Sequence, residues 1–265
     1  MKTSLFSILL SLSSSLVWGT PVKRTVSMAG GTAHIPVMQD AAKLLTAEGI
    51  ELVVAAGGSG VGITKVATGL VDIGNSGRPL TPEEKTRYGL EEHRFAIDGI
   101  ALIVHPGNPL QNVDAATAQR IFSGIKTQWS DFTSRQGAIR LYTREESSGT
   151  RQTFKELVMK ESPFAVYAHV VTSNGAMKVA VAQDLDAIGF CSIGHLDRSV
   201  KAVAFSGIAP TQSNAASGIY PVVRPLVMAV RKNPSAPVLR VLQLIQSPAF
   251  ADHIRAYGYL PLSAP

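Results

Sequence analysis

The chain has 265 residues, 45% of them hydrophobic and 17% charged, enough for one large domain or two smaller ones and too apolar for global disorder. Its single cysteine, Cys191, excludes an intramolecular disulfide and a cysteine-ligated metal cluster. The formal net charge of +6 favours an anionic partner. No run of Lys and Arg occurs and the aromatics are not interleaved with basic residues, so nucleic acid is a poor candidate.

Residues 1–19 read as a secretory signal: Lys2, an apolar stretch over 5–17, then the small-x-small pattern Val17-Trp18-Gly19. Cleavage near Thr20 is expected, and no cysteine follows that could carry a lipid anchor. The stretch is too short to span a membrane.

Beyond it, strand and helix patterns alternate. Short strands are predicted over 25–28, 50–55, 71–74, 139–143, 170–172 and 187–191. Helices are predicted over 36–47, 61–70, 115–122, 150–159, 176–183, 238–246 and 249–256. Alternation of this kind predicts an α/β fold with largely parallel sheet. Two buried strands, over 100–104 and 222–230, interrupt it. If both cross between two lobes, the first lobe is discontinuous in sequence.

Three places share one local pattern, in which a strand ends, a Gly/Ser/Thr cluster follows and a helix begins. They are Gly30-Gly31-Thr32-Ala33, Gly57-Gly58-Ser59-Gly60 and Ser147-Ser148-Gly149-Thr150. The first N–H groups of a helix lack intrahelical acceptors, and the helix dipole adds partial positive charge there. Glycine allows close backbone approach, and the hydroxyls supply further donors, so each loop is an anion cradle of moderate quality. One such loop is usually an ordinary helix cap; three in one chain point to a shared site. Familiar motifs fail. Ile63 stands where a Walker A loop needs lysine, Val61 where a nucleophile elbow needs its last glycine, and the six histidines have no metal-ligand spacing. Arg144 precedes the third loop and could clamp a tetrahedral oxyanion through two parallel hydrogen bonds. Glu146 is close enough in sequence to orient it. Arg78, after Asn75-Ser76-Gly77, is a weaker candidate clamp.

These residues carry a resemblance. Nearly the whole chain after the signal resembles the periplasmic phosphate-binding proteins of ABC phosphate importers, in the type II periplasmic binding protein superfamily. The matching segments include residues 30–36, Gly57-Gly58-Ser59-Gly60, Val71-Asp72-Ile73-Gly74, Asp98-Gly99-Ile100-Ala101, residues 144–151, Ser173-Asn174-Gly175 and Tyr220-Pro221. The resemblance implies two α/β lobes joined by two hinge strands around a ligand cleft. Residues 20–99 with 222–265 would form lobe I, and 100–221 lobe II. It implies ligand contacts from Thr32, Ala33, Ser59, Arg144, Ser148, Gly149 and Thr150. Gly31, Gly60, Gly77, Arg78 and Glu146 would support them, with Glu146 holding the arginine.

The same resemblance implies a monomer without cofactor or catalysis, exported to the periplasm, that delivers phosphate to a membrane-embedded ABC permease. One departure stands out. Where the best-known members carry an aspartate that accepts the proton of bound phosphate, this chain has Gly77, which leaves phosphate over sulfate selectivity open. Asn75, Ser76 and His34 are possible replacements. Two other readings remain: a binding protein for another oxyanion such as sulfate, and a secreted phosphatase with Ser59 or Ser148 as nucleophile.

Overall fold

The computed structural model describes residues 24–262, so the expected signal sequence lies outside the described residues. In chain order the elements begin with β1 (Arg24–Gly30), a 3-10 turn (Thr32–His34), α1 (Ile35–Thr46), β2 (Ile50–Ala56), α2 (Gly58–Ala67), β3 (Ile73–Ser76) and α3 (Pro82–Arg87). There follow β4 (Leu90–Val104), β5 (Asn112–Val113), α4 (Ala115–Phe122), a second 3-10 turn (Trp129–Asp131) and β6 (Arg140–Arg144). Next come α5 (Gly149–Phe154), which runs on as a π-helical turn (Lys155–Met159), β7 (His169–Val171), α6 (Asn174–Ala182), β8 (Ala187–Ser192), β9 (Lys201–Phe205) and α7 (Gln212–Ala216). The chain ends with β10 (Val223–Arg231), α8 (Ala236–Ile245), α9 (Ala251–Ala256) and β11 (Leu260–Pro261).

The main run of strands is β2-β1-β3-β10-β4-β8-β6-β7. β1 pairs in parallel with β2 and β3, and β6 with β7 and β8, as short apolar strands separated by helices predict. The antiparallel partners are the long strands: β10 lies between β3 and β4, and β4 also pairs with β8 and β9.

The apolar residues fall into two large buried clusters. One is built from β1, β2, β3, α1, α8 and α9, with Phe95 and Ala96 of β4 and Leu226, Met228 and Val230 of β10. The other holds 100–104 of β4, Phe122, Phe154, Phe190 and Val222. β4 and β10 therefore each leave one core and enter the other, and these are the two hinge strands of a two-lobed molecule. On α1 the side chains Val37, Met38, Ala41 and Leu45 are buried, one face of a helix that carries Pro36 in its first turn. In lobe II, Phe154 at the end of α5 stacks on Phe190 of β8 with ring centroids 4.1 Å apart, which seats α5 on the sheet.

The largest difference from the predicted elements is β4. Residues 100–104 read as a strand because both faces are buried. The preceding ten residues are part of the same strand but carry Glu91, Glu92, His93 and Arg94, so no apolar run marks them. α2 starts at Gly58, three residues before its predicted start, because glycines fill its first turn. α3 is not among the predicted helices and buries no residue; it is started by a capping box, Thr81-Pro82-Glu83-Glu84, whose reciprocal bonds both form.

Candidate functional site

The three glycine and hydroxyl-rich loops converge. Gly31, Thr32, Ala33, Gly58, Ser59, Gly77, Arg144, Ser148, Gly149 and Thr150 line one small cavity, with Arg224 completing the wall. The first loop turns from β1 into α1, the second from β2 into α2, and the third from β6 into α5. The cavity thus lies between helix starts of both lobes.

The lobes meet closely around it. The Gly60 N–H donates to the Ser147 carbonyl at 3.0 Å, and the Ser147 hydroxyl donates to the Gly57 carbonyl at 3.3 Å. A side chain at Gly149 would collide with the Ser59 hydroxyl. At Gly58 (φ 77°) a Cβ would stand 2.6 Å from Ser147 Oγ. Both positions require glycine for this approach. Gly60 supports the contact between lobes and does not line the cavity.

Three of the four hydroxyls that line the cavity, all but that of Thr150, are held as acceptors. Thr32 Oγ1 accepts from the backbone N–H and side-chain Nδ2 of Asn174, at 3.1 and 3.0 Å. Ser59 Oγ accepts from the Gly77 N–H at 2.9 Å. Ser148 Oγ caps α5 by accepting from the Arg151 N–H at 3.2 Å. A hydroxyl that accepts in this way keeps its one proton for another partner. All three are buried, so that proton is available to a molecule in the cavity.

Arg144 is 1% exposed. Its Nε and Nη2 donate to Glu145 Oε2 and Oε1, both at 2.9 Å, and Nε also donates to the Val171 carbonyl at 3.2 Å. Nη1 is buried without a partner. Burial lowers the Arg144 pKa and the Glu145 carboxylate opposes that, so the guanidinium stays charged. An unpaired guanidinium nitrogen in a dry wall is costly unless an anion meets it.

Two expected supports are elsewhere. Glu146 does not hold Arg144. The chain turns between Glu145 and Ser148, which leaves the Glu146 side chain 89% exposed and bonded to Arg151 Nη2. Glu145, one residue earlier, faces inward and takes that role. Arg78 forms a two-point pair with Glu84 at 2.8 and 2.7 Å and does not line the cavity. The possible replacements for an acceptor at Gly77 also lie outside it. His34 Nε2 meets the Val227 carbonyl, Asn75 Nδ2 meets Met28, and Ser76 Oγ donates to the Arg78 carbonyl.

Three contributors were missed in the sequence. Gly58 stood in a loop already singled out. Asn174 reaches from α6 across to Thr32, a contact between residues 142 positions apart. Arg224 is 3% exposed and lies on a hinge strand opposite Asp98; its Nε and Nη2 donate to Asp98 Oδ2 at 3.0 and 2.9 Å. Burial pushes the Asp98 carboxyl up, against the pull of Arg224 and of the Ser192 hydroxyl. An isolated arginine inside an apolar strand gives no local sign of such a partner.

Two lobes on two hinge strands, with helix starts, hydroxyls and guanidiniums facing a small cavity between them, define a binding protein for a small anion. The chain belongs to the PBP superfamily, whose domain matches residues 19–260. A phosphate-binding protein PstS of Bacillus subtilis is 31% identical over 204 residues, covering 75% of this chain and 67% of that protein. PstS of Pseudomonas aeruginosa is 26% identical over 244 residues, covering 81% and 75%. A phosphate ABC transporter substrate-binding protein from Clostridium perfringens, solved with bound phosphate, superposes with a TM-score of 0.86 at 29% identity, covering 91% of this chain and all of that one. An ABC-type phosphate transport receptor from Vibrio cholerae has a TM-score of 0.72 at 31% identity, covering 89% and 99%.

Proposed function

We propose that this chain is the phosphate-capturing component of an ABC importer, exported to the periplasm and handing phosphate to a membrane permease. The observation that carries this reading is the unpartnered, buried Nη1 of Arg144 in a cavity ringed by three hydroxyl protons and helix-start N–H groups. Such a cavity stabilises an oxyanion that has shed its water. The phosphate-binding relatives support phosphate as that anion. Thr32, Ala33, Ser59, Arg144, Ser148, Gly149 and Thr150 contact it, and Glu145 orients Arg144. Among the described residues the lobes divide near residues 99 and 222, where the chain passes from one core to the other. Closure of both lobes on the anion is the state a permease recognises.

Export is read from the signal sequence; among the described residues no helix is long and apolar enough to cross a membrane. Against a phosphatase, Ser59 Oγ and Ser148 Oγ each accept from a backbone N–H, and neither an imidazole nor a carboxylate lines the cavity. A nucleophilic serine needs such a base within hydrogen-bond reach. Calorimetric titration with phosphate, run beside an assay of p-nitrophenyl phosphate turnover, tests the reading. Saturable phosphate binding without turnover is expected. Turnover abolished by Ser59→Ala or Ser148→Ala would overturn it.

A further inference from the structure

Arg224 lines the cavity from the hinge, as Arg144 does from the end of β6. Two of its nitrogens are held by Asp98. The third, Nη1, has only a long contact, 3.4 Å, to the Gly77 carbonyl. Gly77 makes room for it: a Cβ there would lie 2.5 Å from Nη1 and 2.9 Å from Cζ. Any side chain at position 77 would have to displace the guanidinium. The absent carboxylate at 77 and the present arginine at 224 are therefore two sides of one packing choice.

Among the remaining side chains Thr32, Ser59 and Ser148 present donors, and the neutral Thr150 hydroxyl can donate or accept. The hydroxyls of Thr32, Ser59 and Ser148 already accept from the protein, leaving their protons outward. The two nearest carboxylates, Glu145 and Asp98, are each engaged by a guanidinium and do not line the cavity. Phosphate near neutral pH carries a hydroxyl that must find an acceptor, whereas sulfate carries none. A carboxylate in the wall would reward the first and repel the second; a guanidinium meets either.

We propose that Arg224 is a second cationic ligand of the anion, and that the Gly77–Arg224 pair makes the site a receptor for dianionic tetrahedral oxyanions in which sulfate competes with phosphate. This rests on the oxyanion reading above. Specificity is a difference of affinities, and here the element that would penalise sulfate is missing.

The test is competitive calorimetry with inorganic phosphate and inorganic sulfate on the mature wild-type chain, on Arg224→Lys, and on the double variant Asp98→Asn/Arg224→Gln, which keeps an amide pair in place of the ions. In the wild type, sulfate should displace phosphate with an affinity within about 100-fold of it, a gap of about 2.7 kcal/mol. The double variant, folded by circular dichroism, should lose about 30-fold or more in affinity for both anions. Arg224→Lys, which keeps charge without the fork, should fall between. Tight phosphate binding that a roughly 1,000-fold excess of sulfate leaves untouched would overturn the selectivity, and needs no variant. Wild-type phosphate affinity in the folded double variant would overturn Arg224 as a ligand. Failure of the wild type to bind either anion would instead overturn the oxyanion reading itself.

Discussion

Asp98 and Arg224 face each other across β4 and β10 at the point where both strands pass from one lobe to the other, and their side chains form a buried ion pair. A buried pair of this kind is expensive to desolvate and adds little net stability, while removing one partner is costly. Its position gives it a use. The guanidinium belongs at once to the hinge and to the cavity wall, so an anion meeting Arg224 bears on the strands about which the lobes move. Beside it, the Ile100 N–H donates to the Val222 carbonyl at 2.8 Å and the Tyr220 hydroxyl to the Ile100 carbonyl at 2.7 Å, which ties the two crossings together.

Arg144→Ala should weaken phosphate binding by about 2–5 kcal/mol, the usual loss for a charged partner in a desolvated site. Arg78→Ala should leave affinity near wild type, because Arg78 is engaged with Glu84 outside the cavity. Titration of both variants checks this; equal losses would remove Arg144 from its assigned place.

Glu145→Gln should cost about 1.5–3 kcal/mol in affinity, since Arg144 loses the charged partner that fixes two of its nitrogens. Glu146→Gln should be silent, because that carboxylate is exposed and bonds only Arg151. The comparison separates neighbouring residues that the sequence alone could not order.

That ambiguity shows where sequence reading stopped. The convergence of Thr32, Ser59 and Ser148 was legible, because strand, glycine cluster and helix start are local features with a shared chemistry. Glu145 and Glu146 are identical in type and adjacent, and only the direction of one turn decides which faces inward. Asn174 and Arg224 reach the cavity through contacts across lobes, with no nearby sequence to announce them. The first half of β4 was hidden because its exposed face carries charge, and apolar periodicity reports burial rather than strand.

Gly149→Ala should impair closure more than folding. The new methyl would overlap Ser59 Oγ across the cleft while each lobe keeps its own core. Phosphate affinity should fall by about 1–3 kcal/mol, the cost of forcing a methyl group into a filled contact. Small-angle scattering should show less phosphate-induced compaction than in wild type, with thermal stability of the free chain nearly unchanged.

Acid should destabilise the fold through two buried imidazoles. Burial holds His34 down to about 3 and His195 down to about 4, against an ordinary value of 6.5. Below 6.5 the unfolded chain takes up protons on both rings that the folded chain refuses until it reaches those lowered values. Stability is therefore full above 6.5 and lost as pH falls toward about 4, at up to ~2.7 kcal/mol per pH unit for the two together. Urea unfolding over that window should show this slope in wild type and about half of it in His195→Gln. A flat profile would mean that the rings are solvated in the native state.

The central claim is that the chain captures inorganic phosphate and returns it unchanged. Equilibrium dialysis of the purified mature protein against radiolabelled phosphate tests this most directly. The expected result is saturable binding of one phosphate per chain, released intact on dilution and lost in Arg144→Ala. No retained label at any phosphate concentration, or label bound equally by wild type and Arg144→Ala, would contradict it.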